Sequence, residues 1–424
     1  MEVTEKPKNK RKKQLTARRL MGMVLAVFIV LSLISTAVYL IGGYIENPTA
    51  AFFESVSAFT TTGASVFEDT SSLPDWIKVF RSLCQWIGGG VTLVFLASIV
   101  SNTDASSGGL LRSDSASSAL YRTGIRFTSI AKRLLLTYLI MTVVQIIVLY
   151  ICGFTVLGSI CLSMSTVSTG GFLPAGTIPS GMGETVIVLF MIFTCINYTL
   201  YYHAIKKHFD RFDTNSELYA LVFIIAGASI LVCANLYLSG TYDLRASVEN
   251  GIFHTVSFMT TTGFKSADLS AWPPFAKAVL TSLSFIGGSS CSLGSGVKLM
   301  RIIVVFRVIS TSFTSRIHTR AVVTTKINGR RLPSEAANAI SVFFLTYFTF
   351  YLAGVFVISF GSKDIISCFT VGAALLNNVG AVVESSISYG AVSPVMHILM
   401  SVLMLAGRLE LYTVLLPFSR SDKF

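Results

Sequence analysis

The sequence predicts an all-α polytopic membrane protein made of four tandem helix–short segment–helix repeats. Composition is the first reason: 52% of the 424 residues are hydrophobic and 13% are charged, whereas a soluble chain carries about 25% charged residues. The second is that the apolar residues gather in blocks of roughly 20, the length that crosses a bilayer as a helix. The third is a shorter semi-apolar segment between alternate blocks, ending each time in Thr, Ser, Asn and Gly. A soluble protein with an oversized core is the competing reading, and the block lengths argue against it.

The chain opens with Lys6, Lys8, Lys10, Arg11, Lys12, Lys13, Arg18 and Arg19, then an apolar run from Leu20 to about Tyr44. That run exceeds the roughly 7–15 residues of a signal-peptide core, and no small-residue cleavage site follows. A retained first helix after a basic tail, 1–19, is expected. Further apolar blocks fall at 77–101, 128–152, 182–204, 217–239, 272–310, 336–360 and 391–417. With the first, they place both termini on one side. The short segments at 48–63, 155–170, 248–263 and 365–380 cannot span a bilayer, so they read as re-entrant elements buried inside protein. The repeats are then 20–101, 128–204, 217–310 and 336–417. Linkers at 102–127, 205–216 and 311–335 join them, and a tail follows at 418–424.

The net charge of +12 comes from 33 Lys and Arg against 21 Asp and Glu. Its distribution argues against nucleic-acid binding. Basic residues cluster in alternate connections: Arg112, Arg122, Arg126, Lys132 and Arg133; Lys206, Lys207 and Arg211; Arg307, Arg316, Arg320, Lys326, Arg330 and Arg331. The other connections are richer in acids, among them Glu46, Glu68, Asp69, Asp75, Asp243, Asp268 and Asp364. The positive-inside rule puts both termini in the cytosol. It leaves a mildly negative outer mouth that would concentrate cations.

The seven cysteines form no CxxC pair, and the five histidines show no metal-ligand spacing. Small apolar packing is the expected use of the cysteines. No paired carboxylates, metal cluster or nucleophile–base arrangement marks the apolar blocks, which argues against a membrane enzyme.

The short segments resemble one another. FFESVSAFTTTGAS runs from Phe52 to Ser65, and IFHTVSFMTTTGFKS from Ile252 to Ser266. Aligning Gly63 on Gly263 superposes Phe53 on Phe253, Val56 on Val256, Ser57 on Ser257 and the whole Thr-Thr-Thr-Gly run. The second segment ends Ser168-Thr169-Gly170-Gly171-Phe172, and the fourth Asn377-Asn378-Val379-Gly380-Ala381. The glycines aligned on this reading are Gly63, Gly170, Gly263 and Gly380, at intervals of roughly a quarter of the chain. A cation that sheds water needs oxygen ligands, and rings of backbone carbonyls supply them without adding full charges. A short helix ahead of each segment would aim its negative C-terminal end at the ion. The candidate cation site is therefore Thr62, Gly63, Thr169, Gly170, Thr262, Gly263, Val379 and Gly380. The architecture becomes four helix–pore-loop–helix repeats with pseudo-fourfold symmetry around one pore. A structural or sensory membrane protein would need no such set.

The block 272–310 is interrupted by Gly287-Gly288-Ser289-Ser290-Cys291-Ser292-Leu293-Gly294-Ser295-Gly296. Such residues disfavour a continuous helix, and irregular backbone at membrane depth is tolerated where it is buried or lines a cavity. A packing kink is the bland alternative. Arg408 falls inside the last apolar block, where an arginine is costly and usually functional. Snorkelling to the inner interface, paired with Glu410, is its other reading. Lys298 and Arg301 are expected in a lower vestibule or near the cytosol. Glycines 88–90 lack a following GK[ST] and read as close helix packing.

TTTGAS, STGGF, TTTGF and NNVGA resemble the four filter segments of the Trk/Ktr/HKT potassium transporters. RSLCQWIGGG at 81–90, HTRAVVTTKINGRRLPSE at 318–335 and GRLELYTVLLPF at 407–418 agree, and the resemblance covers nearly all of the chain after residue 19. It implies potassium uptake at the plasma membrane of a bacterial cell, with the four glycines lining the ion site. It implies a gating loop made by Gly287, Gly288, Ser289, Ser290, Cys291, Ser292, Gly294, Ser295 and Gly296, with Arg408 beside it. Cys291 and Leu293 stand where the family usually has Gly and Thr. The implied partners are a second copy in a homodimer with one pore per chain, a cytosolic nucleotide-binding regulatory subunit and membrane lipid, with no nucleic acid. K+ is the implied transported ion and Na+ a candidate coupling ion. Glycine in all four segments resembles the potassium-selective members, whereas sodium-carrying plant members often have serine in the first. Sodium or mixed-cation permeation is the alternative within transport. No extra helix pair precedes the first repeat, so in length the chain is closer to Ktr-type subunits, and both branches stay open.

Overall fold

The computed structural model describes residues 10–101, 127–174, 181–205, 215–318, 325–327, 330–361, 364–409 and 411. The linker residues 102–126 and 206–214, with their basic side chains, lie outside the described residues, as does Glu410. Among the described residues the regular structure is helical apart from one antiparallel strand pair. In order, the helices are α1 (Lys10–Ile41), α2 (Pro48–Phe59), α3 (Asp75–Ser101), α4 (Phe127–Ile151), α5 (Val156–Val167), α6 (Met182–Cys195), α7 (Tyr198–Ile205), α8 (Ser216–Leu238), α9 (Leu244–Met259), α10 (Pro274–Ile286), α11 (Leu299–Ile317), α12 (Ser334–Ser359), α13 (Ile365–Leu376) and α14 (Pro394–Arg408).

Five of them are long and apolar enough to cross a membrane: Met21–Ile41, Asp75–Ser98, Thr128–Ile151, Ser216–Leu238 and Ser334–Ser359. In lipid, backbone groups must pair within the segment, so apolar stretches of this length form helices. Leu136, Leu139 and Ile147 of α4, Phe223 and Ile230 of α8, and Leu345 and Phe356 of α12 face outward. An apolar outer surface of this extent suits lipid.

The block expected at 182–204 is not one helix. It breaks between α6 and α7, where Ile196 is extended. The Asn197 side chain accepts hydrogen bonds from Thr199 N at 2.9 Å and Thr199 Oγ1 at 2.7 Å, which starts α7 afresh. The block at 272–310 breaks as expected, over 287–298. The 311–335 linker holds an unexpected antiparallel pair, β1 (Lys326–Ile327) and β2 (Arg330–Arg331), with Lys326 opposite Arg331.

The short helices α2, α5, α9 and α13 follow the four short segments of the sequence. Each is wedged between longer helices and packs on a neighbouring repeat: α3 on α5, α6 on α9, α10 on α13, and α14 back on α2. One core joins Phe53, Val56, Val371, Leu375, Met400 and Met404 across the first and last repeats. Another joins Leu162, Val256, Met259, Leu280 and Val379. Glycines 88 and 89 serve close packing: a Cβ at Gly88 would strike the Phe59 carbonyl, and one at Gly89 would crowd Tyr138 and Ser168.

Candidate functional site

The four short helices are built alike. Each opens on a polar side chain that accepts from the first turn: Asn47 from Thr49 N at 3.0 Å, Thr155 from Gly158 N at 3.1 Å, Asp243 from Ala246 N at 3.2 Å, and Asp364 from Ile366 N at 3.1 Å. These caps define the N-termini. The C-terminal caps are Thr60, Ser168, Thr260 and Asn377. All four are buried, so the partial negative charge of each helix end is directed inward.

Beyond each cap the backbone repeats one conformation. Thr61, Thr169, Thr261 and Asn378 have φ of 53°, 57°, 57° and 51°. Two residues later come Gly63, Gly171, Gly263 and Gly380, with φ of 82°, 80°, 75° and 67°. The residue between them donates its amide back into the helix: Thr62 N to Ser57 O at 2.9 Å, Gly170 N to Ser165 O at 2.7 Å, Thr262 N to Ser257 O at 3.0 Å, and Val379 N to Ala374 O at 2.9 Å. The second segment is therefore one residue out of the register expected from sequence. Gly171, not Gly170, matches Gly63, Gly263 and Gly380. Gly170 matches Thr62, Thr262 and Val379, and Thr169 matches Thr61.

The left-handed glycines lock the segments into a closed ring. A Cβ on Gly63 would enter the carbonyl oxygen of Gly170, and one on Gly171 that of Thr262. One on Gly263 would enter the carbonyl of Val379, and one on Gly380 that of Thr62. Glycine is needed here both for its φ and for this approach of backbone to backbone. The Thr62 and Thr262 carbonyls accept no hydrogen bond among the described residues. Thr61 Oγ1 and Asn378 Oδ1 are buried oxygens without a hydrogen-bond partner among the described residues. Such oxygen atoms suit a dehydrated cation.

Side chains behind the ring hold it. Arg81 donates through Nε and Nη2 to Glu54 Oε1 at 3.0 and 2.7 Å, while Val66 N donates to Glu54 Oε2 at 2.8 Å. This ion pair is buried, and the guanidinium lies 4.0 Å from the Phe172 ring centroid in the second segment. His254 occupies the matching place in the third repeat. Its Nδ1 donates to Asn250 O at 2.8 Å, which leaves Nε2 to accept from Ser266 N at 3.3 Å. Asn378 Nδ2 donates to Thr62 Oγ1 at 2.8 Å and Met404 O at 2.9 Å, joining the fourth segment to the first. In the loops that follow, Asp69 accepts from Ser71 and Asp268 from Ser270, which holds both carboxyls below their ordinary range.

The loop 287–298 lies against the left-handed residues. Ser295 N donates to Thr261 Oγ1 at 2.8 Å, and Thr169 Oγ1 donates to Leu293 O at 3.4 Å. Arg408 is buried; its Nη1 donates to Leu293 O at 2.7 Å and Ser295 Oγ at 3.2 Å, and its Nε to Thr92 Oγ1 at 3.0 Å. The Arg408 side chain thus reaches the loop rather than the protein surface. Lys298 is buried rather than in a vestibule and folds back on the loop, donating to Ser292 O at 3.1 Å and to Gly294 O. Arg301 is buried too, over the Phe343 ring at 4.1 Å. From α8, Glu217 Oε1 accepts from Ser290 N at 2.6 Å.

Sequence reasoning missed Gly171, Gln85, Glu217 and the role of Lys298. The Gly-Phe pair at 171–172, matching Gly263-Phe264, was a usable signal for the register. Nothing local marks Gln85 or Glu217, because their partners are distant in sequence.

The family model of TrkH, described as a cation transport protein, matches residues 3–424. The chain belongs to the TrkH family of cation transport proteins. That is a family of membrane transporters rather than enzymes, and with its apolar helices the chain is an integral membrane protein. It is 32% identical over 403 residues to the Trk system potassium uptake protein TrkH of Halomonas elongata, covering 91% of this chain and 81% of that one. It is 31% identical over 441 residues to TrkH of Vibrio parahaemolyticus, covering 97% and 87%. The crystal structure of the potassium transporter TrkH from Vibrio parahaemolyticus matches with a TM-score of 0.87 and 29% identity, covering 98% of this chain and 87% of that chain. Of the two branches left open by sequence length, these matches favour Trk.

Proposed function

We propose that the chain carries potassium into the cell through a single pore, whose selectivity filter is the ring of Gly63, Gly171, Gly263 and Gly380 with the residues before them. The observation that carries this reading is the closed cycle of glycine–carbonyl approaches among the four segments. Four like elements joined cyclically support a pseudo-fourfold arrangement of the repeats 20–101, 128–204, 217–310 and 336–417. Glycine in every segment favours potassium over sodium as cargo. Relatives named as potassium uptake proteins support the same ion.

The loop from Gly287 to Gly296, with Arg408, is the gate on this reading. It rests directly against the inward-directed Thr169 and Thr261, where it would obstruct an ion leaving the ring. A cytosolic nucleotide-binding subunit is the regulatory partner, supported by relatives named as members of a Trk system. Homodimer assembly, cytosolic termini and the plasma membrane location belong to the same proposal, with sodium as a candidate coupling ion. The test is rubidium uptake by cells lacking their own potassium uptake systems, with the chain and a matching regulatory subunit expressed. Uptake that depends on the chain is expected. No uptake despite correct membrane insertion would overturn the proposal.

A further inference from the structure

Of the four matching positions just before the ring glycines, three carry a side chain: Thr62, Thr262 and Val379. The fourth is Gly170, whose φ is not in the left-handed region. Backbone conformation therefore does not demand glycine there. What demands it is occupied space. A Cβ on Gly170 would fall within 2.4 Å of Gln85 Cδ and Oε1 and within 2.9 Å of Nε2. Gln85 reaches this place from α3, a helix of the preceding repeat, and is buried.

Its amide is held at both ends. Gln85 Nε2 donates to Gly170 O at 2.6 Å, and Gln85 Oε1 accepts from Ser165 Oγ at 2.7 Å. A carbonyl can only accept, so the amide orientation is fixed by this pair of partners. Ser165 O in turn receives Gly170 N at 2.7 Å. Gln85 thus clamps the second segment to the end of its own short helix. The carbonyl it holds is the one a Cβ on Gly63 would strike.

We propose that Gln85 is a positioning residue for ion selection, supplying from another repeat the side chain that the second segment lacks. This rests on the filter reading above. The Thr60–Thr62 and Thr260–Thr262 hydroxyl pairs, at 2.7 and 2.8 Å, brace the first and third segments from within. Gly170 has no such group, and Gln85 does the bracing instead. Its Nε2 sets where the Gly170 carbonyl stands in the ring, and so how closely that quarter fits a dehydrated potassium ion.

Two sets of variants test this by sodium competition against rubidium uptake, on protein shown to be inserted. Gln85→Met keeps bulk but removes donor and acceptor. It should let sodium compete about three- to tenfold better, the range expected for one buried hydrogen bond. Gly170→Thr alone should clash with Gln85 and lose uptake or selectivity. Gln85→Ala with Gly170→Thr moves the side chain onto the segment, as in the first and third repeats, and should be more selective than Gln85→Ala alone. A wild-type competition ratio in Gln85→Met would overturn the inference. So would a double variant no more selective than Gln85→Ala alone. Gly63→Ser is the control: if it too leaves the ratio unchanged, the filter reading itself fails, whereas a changed ratio there with an unchanged Gln85→Met ratio removes only the role of Gln85.

Discussion

Replacing Arg408 with alanine should open the pathway. The guanidinium holds the loop by two hydrogen bonds, to Leu293 O at 2.7 Å and Ser295 Oγ at 3.2 Å, and is itself fixed by Thr92 Oγ1 at 3.0 Å. A hydrogen bond from a charged donor contributes about 1.5–3 kcal/mol. When the loop moves, the same guanidinium finds other acceptors, so we take about 1.5–3 kcal/mol for the pair rather than twice that. Removing this preference shifts the closed–open equilibrium by about ten- to hundredfold. Loss of a positive charge beside the path acts in the same direction. The assay is rubidium flux into proteoliposomes with and without the regulatory subunit. Arg408→Ala should show raised basal flux and weakened dependence on the subunit. Arg408→Lys should fall between, because a single ammonium cannot reproduce the fork that reaches Leu293 and Thr92 together. Wild-type flux and full dependence in Arg408→Ala would refute the reasoning.

Other expectations concern the same elements. Deleting Ser289 to Ser295 should raise flux and leave the sodium–rubidium ratio intact, because Gly287 and Gly296 are already neighbours and the shortened chain can close; unchanged or lower flux in well-folded protein would count against the gate. Cys291 holds a left-handed φ of 57°, so Cys291→Gly should stabilise the detergent-solubilised protein by about 1 kcal/mol, read as a rise in Tm; a lower Tm would show that the Cys291 side chain supplies more than the strain costs. Glu54→Gln leaves Arg81 buried without its charge partner, which should cost about 3–5 kcal/mol; an unchanged Tm would contradict the account of that ion pair.

Block length and composition were enough to place the five long helices and the four short ones, because lipid forces apolar stretches into internally bonded backbone. The break at Gly287 was legible for the same reason, from residues that weaken a helix. The break at Asn197 was not, because one asparagine inside an apolar block carries little signal until its side chain is seen capping α7. The ring was legible as a set of related segments. Its register in the second repeat was not, since Gly170 and Gly171 are adjacent and only backbone dihedrals and the Gly171–Thr262 approach separate them. Arg408 stood out because an intramembrane arginine is rare. Lys298 was misjudged, because a lysine after a glycine-rich stretch reads as an interfacial charge, whereas here its chain turns back onto carbonyls of the loop. Gln85 and Glu217 act on residues far away in sequence, and only the fold brings those partners together.

The central claim is that the four-glycine ring selects potassium, and it is tested most directly by sodium competition against rubidium uptake in Gly63→Ser. The serine Cβ would enter the Gly170 carbonyl, and its backbone would be strained at a φ of 82°. The ring should distort and sodium should compete more strongly than in the wild type. An unchanged competition ratio, measured on correctly inserted protein with measurable flux, would contradict the account.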